Sequence, residues 1–288
     1  MVMPSMNRVN KRIKKYKNMK TYRFLALSLA VAALSLTSAA KVENFEVNQV
    51  FKTGQSVFHI LDQNAEQDTY TMASVALQWP LRFGDNDLTA LQDSLLMLTF
   101  GETGNPDEVI ENYLQHPQGY GDKVLDLIDD LPAEAVGQAM VLSNSVSVSS
   151  VGFCERYIVY KVDNYEYSGG AHPNLYSHFL NYDIKNNRVL DFNDIFVENS
   201  EEALLKIVTQ HLLGNYFAES LEELGEKSGI FTDQIYVSRN VFLIGDSIIF
   251  HYNPYDIAPW SEGIISVKVP VYELRRLLTP EVRELYNL

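Results

Sequence analysis

The chain has 288 residues, with 23 Lys and Arg against 37 Asp and Glu and a single cysteine. This acidic balance excludes the clustered basic surface that phosphate backbones require, so nucleic acid is not an expected partner, and it disfavours an anionic membrane surface. One cysteine leaves no internal disulfide, and a chain this long buries a large core without help from metal or cross-links.

The first 40 residues have the composition of an export signal. Eight basic residues and no acid fall within residues 1–23. Phe24–Leu36 follows as thirteen residues that are apolar apart from Ser28 and Ser35, and Thr37-Ser38-Ala39-Ala40 supplies the small residues a signal peptidase accepts. A run of thirteen is short of the roughly 20 residues a membrane-spanning helix needs, so cleavage before Lys41 is expected, with no stable span afterwards. Met19 is a second candidate start. Without residues 1–40, 15 basic residues remain against 37 acidic ones, a formal charge of −22. That charge favours a cationic partner by steering encounter, and it also keeps the chain soluble.

Beyond residue 40 the apolar positions Val42, Phe45, Val47 and Phe51 alternate as in half-buried strands, and Ser56–Leu61 and Thr69–Trp79 read as two more. The period then lengthens. Asp87 is placed to cap a helix through Phe100 with Gly101 as its stop, and Asn105-Pro106 opens a second helix to about His116. Lys123–Leu131 reads as a short third helix. From Val141 to Val151 valine alternates with serine, a strand again, and Phe153–Val162 continues it past Gly152. Cys154 lies in this strand-like stretch and reads as a small buried hydrophobe. Leu175–Ile184, the turn Asn186-Asn187 and Arg188–Leu190 form a strand pair. Asn199 opens a helix expected to run to about Leu224 and to close at Gly225. Val241–Tyr252 reads as a hairpin turning at Gly245-Asp246, Ile264–Val269 as a strand, and Val271–Leu278 and Pro280–Tyr286 as terminal helical turns.

Strands and helices come in blocks, which predicts an α+β fold of antiparallel sheet with packed helices rather than alternating parallel units. The expected division is a signal at 1–40, an N-terminal α+β subdomain at 41–140 and a C-terminal one at 141–288.

The common catalytic signatures are missing: there is no phosphate-binding glycine loop, no nucleophile elbow and no zinc helix. No metal site and no cofactor are expected. His172 and His178 are too few and too differently placed for a tetrahedral centre, and the Asp and Asn residues of 183–194 do not follow the order of a calcium loop and suit turns. Two segments stand out. Tyr165–Asn174 holds Tyr167, Ser168, Gly169, Gly170 and His172, and Tyr252–Gly263 packs two prolines and three aromatics between two strands. Aromatic rings beside amide and carboxyl groups suit a sugar or a protein side chain, so the expected ligand-binding residues are Tyr167, Gly169, Gly170, His172, Asn253, Tyr255, Asp256 and Trp260. The same residues also suit a rigid crossover packed on a sheet.

The sequences YSGGAHPN, LDFNDIF (Leu190–Phe196), FHYNPYDIAPWSEG (Phe250–Gly263) and VPVYEL (Val269–Leu274) occur in that order. Together they resemble the RsiV-type extracytoplasmic domain of unknown function, which is shared by the anti-sigma factor RsiV and PdaC-type peptidoglycan deacetylases. The resemblance covers about residues 150–278. It implies an α+β fold outside the cytoplasm and a role near the cell wall, and in the RsiV branch the domain binds lysozyme. Only 23 residues precede the apolar run and no catalytic domain follows, so neither sigma control nor deacetylation is expected to carry over. The expected function is an exported, non-catalytic binding module of the cell envelope, periplasmic or extracellular. Its expected partner is a cationic protein such as lysozyme, or peptidoglycan glycan. The alternative is a hydrolase acting on cell-wall material, with His172, Asp256 and Glu262 as the catalytic residues to converge in one pocket.

Overall fold

The computed structural model describes residues 41–42, 45–60, 69–115, 141–154, 156–168 and 171–288. Residues 1–40, where an export signal is expected, and the helix expected at 123–131 lie outside them. Among the described residues no helix is long and apolar enough to cross a membrane.

Seven strands form one sheet in chain order: β1 (Lys41–Val42), β2 (Phe45–Ile60), β3 (Thr69–Phe83), β4 (Val141–Phe153), β5 (Tyr157–Tyr167), β6 (Asn174–Asp183) and β7 (Arg188–Leu190). Neighbours pair antiparallel except β3 and β4, which run parallel from Tyr70 opposite Val141 to Leu77 opposite Val148. A parallel return needs a long crossover, and among the described residues this one carries two helices, α1 (Thr89–Phe100) and α2 (Pro106–Gln115). Residue 140, the expected division, therefore separates two strands that lie side by side in one sheet.

The helices start where their side chains allow. Asp87 Oδ1 accepts the backbone N–H of Thr89 at 3.0 Å, Gly101 closes α1 at φ 76°, and Asn105 Oδ1 accepts the N–H of Asp107 at 2.9 Å ahead of Pro106. β2 is one strand where the sequence suggested two. Gly54, within this strand, is a seat for α2, because a Cβ there would collide with the Leu114 side chain. Cys154 is likewise displaced from its expected strand. It sits in the turn joining β4 to β5, its N–H bonded to Tyr157 O at 2.9 Å, half-buried against the second core described below.

The Val/Ser alternation of β4 separates two environments. Val146 and Val148 join Val75, Leu77, Trp79, Leu91, Leu95 and Phe100 in a core beneath α1 and α2, and alternation directs Ser143, Ser145, Ser147 and Ser149 to the opposite face. β5 is buried on both sides. Ile158, Tyr160 and Val162 enter this first core, and Tyr157 and Val159 enter a second one.

The second core belongs to the remaining elements: α3 (Phe192–Ile195), α4 (Glu201–Asn215), α5 (Leu221–Ser228), a three-stranded sheet of β8 (Val241–Ile244), β9 (Ser247–Tyr252) and β10 (Ile265–Pro270), α6 (Val271–Leu274) and α7 (Pro280–Leu285). Both small-sheet pairings are antiparallel, with β9 in the middle. The acids of 183–194 serve turns and caps, as their spacing suggested. Asp183 accepts the N–H of Asn186 at 3.0 Å, Asp191 and Asp194 make a reciprocal capping box, and Asp194 pairs with Arg188 at 3.0 Å. The helix expected to run from 199 to 224 is two. Phe217 turns left-handed at φ 52°, Ser220 caps α5, and Gly229 rather than Gly225 closes it at φ 67°. Apolar spacing runs on through this break because both helices bury their leucines in the same core.

Asparagine side chains join the two sheets. β7 covers β6 only at Asn181–Asp183, leaving the rest of that strand's outer edge without a backbone partner. Asn240 fills part of the gap, its Oδ1 accepting Phe179 N–H at 3.0 Å and its Nδ2 donating to Ser177 O at 2.6 Å. Asn253 fills the next position, accepting Ser177 N–H at 2.7 Å and donating to Ser177 O at 3.3 Å. Asn181 works in the other direction, donating to Val241 O at 2.8 Å and accepting Leu243 N–H at 2.9 Å on β8. Each amide presents one donor and one acceptor, as a strand residue would. Removing one leaves buried backbone groups unpaired at about 1–3 kcal/mol each. Asn181→Leu keeps the volume and loses both bonds, so urea unfolding is expected to show a loss of about 2–4 kcal/mol, whereas exposed Asn193→Leu changes stability by less than about 1 kcal/mol.

Candidate functional site

The aromatic loop after β9 is shaped by its own backbone. Asn253 N–H donates to Asp256 Oδ2 at 2.7 Å, Asp256 N–H returns to Asn253 O at 3.0 Å, and Tyr255 N–H reaches Ala258 O at 3.1 Å. These bonds hold Tyr255 at φ 74°, a left-handed conformation that is unfavourable for a bulky residue. A single 3-10 turn, Trp260–Glu262, follows, and Gly263 at φ 68° leads into β10.

The loop meets the segment before β6. His172 stacks on Trp260 with ring centres 4.3 Å apart and planes 12° from parallel, and the Tyr255 ring lies 5.9 Å from the imidazole. His172 Nδ1 is 3.1 Å from Pro173 O and its Nε2 is 2.9 Å from the Tyr255 hydroxyl. A carbonyl only accepts, so Nδ1 carries a proton, while the tyrosine hydroxyl can serve Nε2 as donor or acceptor. Trp260 Nε1–H donates to the same Pro173 carbonyl at 3.1 Å. The three polar tips are thus satisfied internally, while Tyr255 as a residue remains 54% exposed.

Of the residues expected at a site, the structure brings together His172, Tyr255 and Trp260. Asn253 is buried with its amide committed to Ser177, and Asp256 supports the loop and lies close to the phenol of Tyr236, whose pKa is raised by burial and then by that carboxylate. Tyr167 is the last residue of β5, opposite Ser143. Gly169 and Gly170 lie outside the described residues. Glu262 sits beside Gly229, within 3.5 Å of where a Cβ would stand, and raises the Tyr216 phenol after burial has done most of that work. Among the described residues no hydrogen bond or ion pair joins any two of His172, Asp256 and Glu262, and no group of three His, Cys, Asp or Glu side chains is placed to hold a metal ion.

Sequence reasoning missed the layer beneath the loop. His251 is 3% exposed, with Nε2 3.4 Å from Asn253 Oδ1, Nδ1 3.4 Å from Ser266 Oγ, and the Phe179 ring edge-on at 4.9 Å. Nearby, Lys161 pairs with Asp163 at 2.8 Å, and Asp163 also accepts the Ser177 hydroxyl. All six residues of β9 are buried, so the alternation that would place a histidine inside or outside gives no signal here. A separate open groove of about 510 Å³ lies between α1 and the β6–β7 edge, lined by residues including Met97, Leu98, Phe179, Phe192 and Arg239, and none of the aromatic-loop residues reaches it.

Residues 193–272 match the family model described as Protein of unknown function (DUF3298). That segment runs from α3 to α6 and includes the whole aromatic loop, but not β6 or His172. A solved structure from Bacteroides fragilis NCTC 9343, described as a member of the DUF3298 family, aligns with a TM-score of 0.66 and 22% identity over 84% of this chain and 95% of that one. Its likeness shows the fold. A DUF3298 family protein from Pseudomonas aeruginosa PAO1 aligns at a TM-score of 0.49 and 18% identity, over 81% and 95% of the two chains. No curated protein matches the chain in sequence.

Burial pushes the His251 pKa down to about 4 from an ordinary value near 6.5. Between those values the unfolded chain binds a proton that the folded protein refuses, so stability rises with pH across this window and falls as pH drops from 6.5 towards 4. Urea titrations at pH 7 and pH 4.5 are expected to show His251→Asn removing roughly 2 kcal/mol of the acid-induced loss.

Proposed function

We propose that this chain is an exported, non-catalytic binding module of the cell envelope whose aromatic loop receives a basic, wall-active protein such as a lysozyme. The observation that carries the reading is the half-exposed Tyr255 ring, held in a left-handed turn over the stacked His172–Trp260 pair. Strain kept at an exposed aromatic is a mark of contact surfaces. The two segments that meet at this surface, residues 171–178 and 252–263, contain Asp256 and Glu262 and no Lys or Arg. A lysine or arginine against a tyrosine face gains a cation–π attraction, and the −22 charge of residues 41–288 draws a basic protein in. The RsiV-type resemblance supports the envelope setting, and the signal-like residues 1–40 support export. An exposed aromatic ring also suits the face of a sugar, so a wall glycan is the second ligand of this reading. The hydrolase alternative has less support, because His172 is bonded to Tyr255 and Pro173 and Asp256 to its own turn.

Calorimetry of residues 41–288, which lie within one compact unit, with lysozyme tests the proposal. Heat is expected at low salt, with affinity falling about tenfold or more towards 0.5 M salt as screening shortens to several ångströms. Tyr255→Ala is expected to weaken binding about tenfold, the scale of a central aromatic contact. No heat from a folded sample at low salt removes the lysozyme reading. Heat with peptidoglycan fragments alone assigns the surface to glycan.

A further inference from the structure

We propose that the outer edge of β2 pairs with the β2 edge of a second copy of this chain, joining two seven-stranded sheets across a twofold axis at Gly54.

The long sheet treats its two sides differently. On the β6 side, Asn240, Asn253 and the short β7 occupy the outward backbone groups. On the other side β1 pairs only with Phe45 and Glu46. From Val47 to Ile60 the outer edge of β2 therefore has no backbone or side-chain partner among the described residues. Free N–H and C=O groups in such a row recruit another strand, and long edges are ordinarily guarded by proline, charge or bulges. β2 has little of this protection. Val47–Ile60 contains no proline and no acid, in a chain whose residues 41–288 carry a formal charge of −22. Its one lysine, Lys52, turns its ammonium onto Asp107 of α2 at 2.5 Å. The register shift in its pairing with β3 falls at Asn48–Gln49, at one end of the free stretch.

The side chains of this edge fit a second copy of the same strand. Two copies that keep their helices on one face of the joined sheet are related by a twofold axis perpendicular to it. The strands then run antiparallel, and each residue meets one of its own parity. Parity separates Phe51, Thr53, Gln55 and Val57, all exposed, from Val50, Lys52, Gly54 and Ser56, which are half-buried. With Gly54 on the axis, Phe51 lies opposite Val57 of the second copy, Thr53 opposite Gln55 and Lys52 opposite Ser56. Phe51 and Val57 are 62% and 50% exposed, and an aromatic ring against a β-branched side chain is a favourable cross-strand pair. An axis at Lys52 would set two ammonium groups face to face, and one at Thr53 or Gln55 breaks up both Phe51–Val57 pairs. The pairing centred on Gly54 runs from Gln49 to His59 of each copy, about 34 Å of shared edge at strand spacing.

Net charge works against this association. Each copy of residues 41–288 carries −22, and α2, seated on Gly54 through Leu114, brings exposed Glu108 and Glu111 beside the edge. The pairing therefore strengthens as salt screens the repulsion, opposite in sign to capture of a basic protein at the aromatic loop. That loop is anchored at the β6 side of the sheet, so the two surfaces are independent.

Sedimentation equilibrium of residues 41–288 tests the edge. A monomer–dimer equilibrium is expected, its affinity rising about threefold or more between about 0.05 M and about 0.5 M salt. Phe51→Lys and Val57→Glu, both at exposed positions, are each expected to weaken the dimer about tenfold. Mixed one to one, the two variants are expected to regain it, because their new charges lie opposite one another in the register centred on Gly54. Hydrogen exchange of the parent gives a reading that needs no variant: the amides of residues 49–59 are expected to slow as concentration rises. A parent that stays monomeric at about 100 μM in high salt, where screening is strongest, overturns the proposal. So do single variants that dimerise like the parent, a mixture that associates no better than its components, or exchange in β2 that is indifferent to concentration. Lysozyme calorimetry reads the other surface, so its failure leaves the dimer standing.

Discussion

The unpaired edge of β6 is the constraint on which the rest of the arrangement depends. A long sheet whose last partner, β7, is three residues long leaves backbone donors and acceptors facing a region that is otherwise apolar. Water cannot serve them without opening the core, so a side chain has to carry one donor and one acceptor at strand spacing, and the asparagine amide does that. Asn240 and Asn253 close the β6 edge, and Asn181 reaches from β6 to close β8. The two sheets are thereby locked in register at three points rather than by contact of apolar faces alone, which would permit sliding.

This junction also explains why the aromatic loop stands where it does. Asn253 is the first residue after β9, so the same amide that satisfies Ser177 anchors the start of the loop against β6. Asp256 tightens the turn from within, and Tyr255 is left with its ring outward and its hydroxyl on His172. His251 lies two positions before the anchor and touches it. Structure, surface and pH sensitivity therefore meet within three residues of one strand end, with no metal or cofactor invoked.

Much of the architecture was legible from local patterns. The α+β class, the Val/Ser alternation of β4, the capping residues Asp87 and Asn105, the stop at Gly101 and the hairpin turn at Gly245 each follow from interactions within a few residues. The misreadings share a cause. The gap left between Phe51 and Ser56 and the stop assigned to Gly225 rest on near neighbours alone. In the folded chain β2 runs unbroken through Gly54, where α2 seats its Leu114 side chain, and the long helix is interrupted by the left-handed turn at Phe217. The parallel pairing of β3 with β4 was equally invisible, since pattern along a strand says nothing of the direction of its neighbour.

The sequence by itself determined the charge balance, the composition of the N-terminal segment, the blocks of strand and helix and the unusual content of residues 165–174 and 252–263. Tertiary structure alone decided which of those residues meet. His172 and Tyr255 are 83 positions apart, and Ser177 and Asn253 are 76 apart. Contacts across such distances depend on how two sheets cross, and that is set by the whole core rather than by any segment of it. It also decided that Asn253 faces inward while Tyr255, two residues on, faces solvent, because the chain leaves the strand there and Tyr255 itself is left-handed, so strand alternation no longer applies.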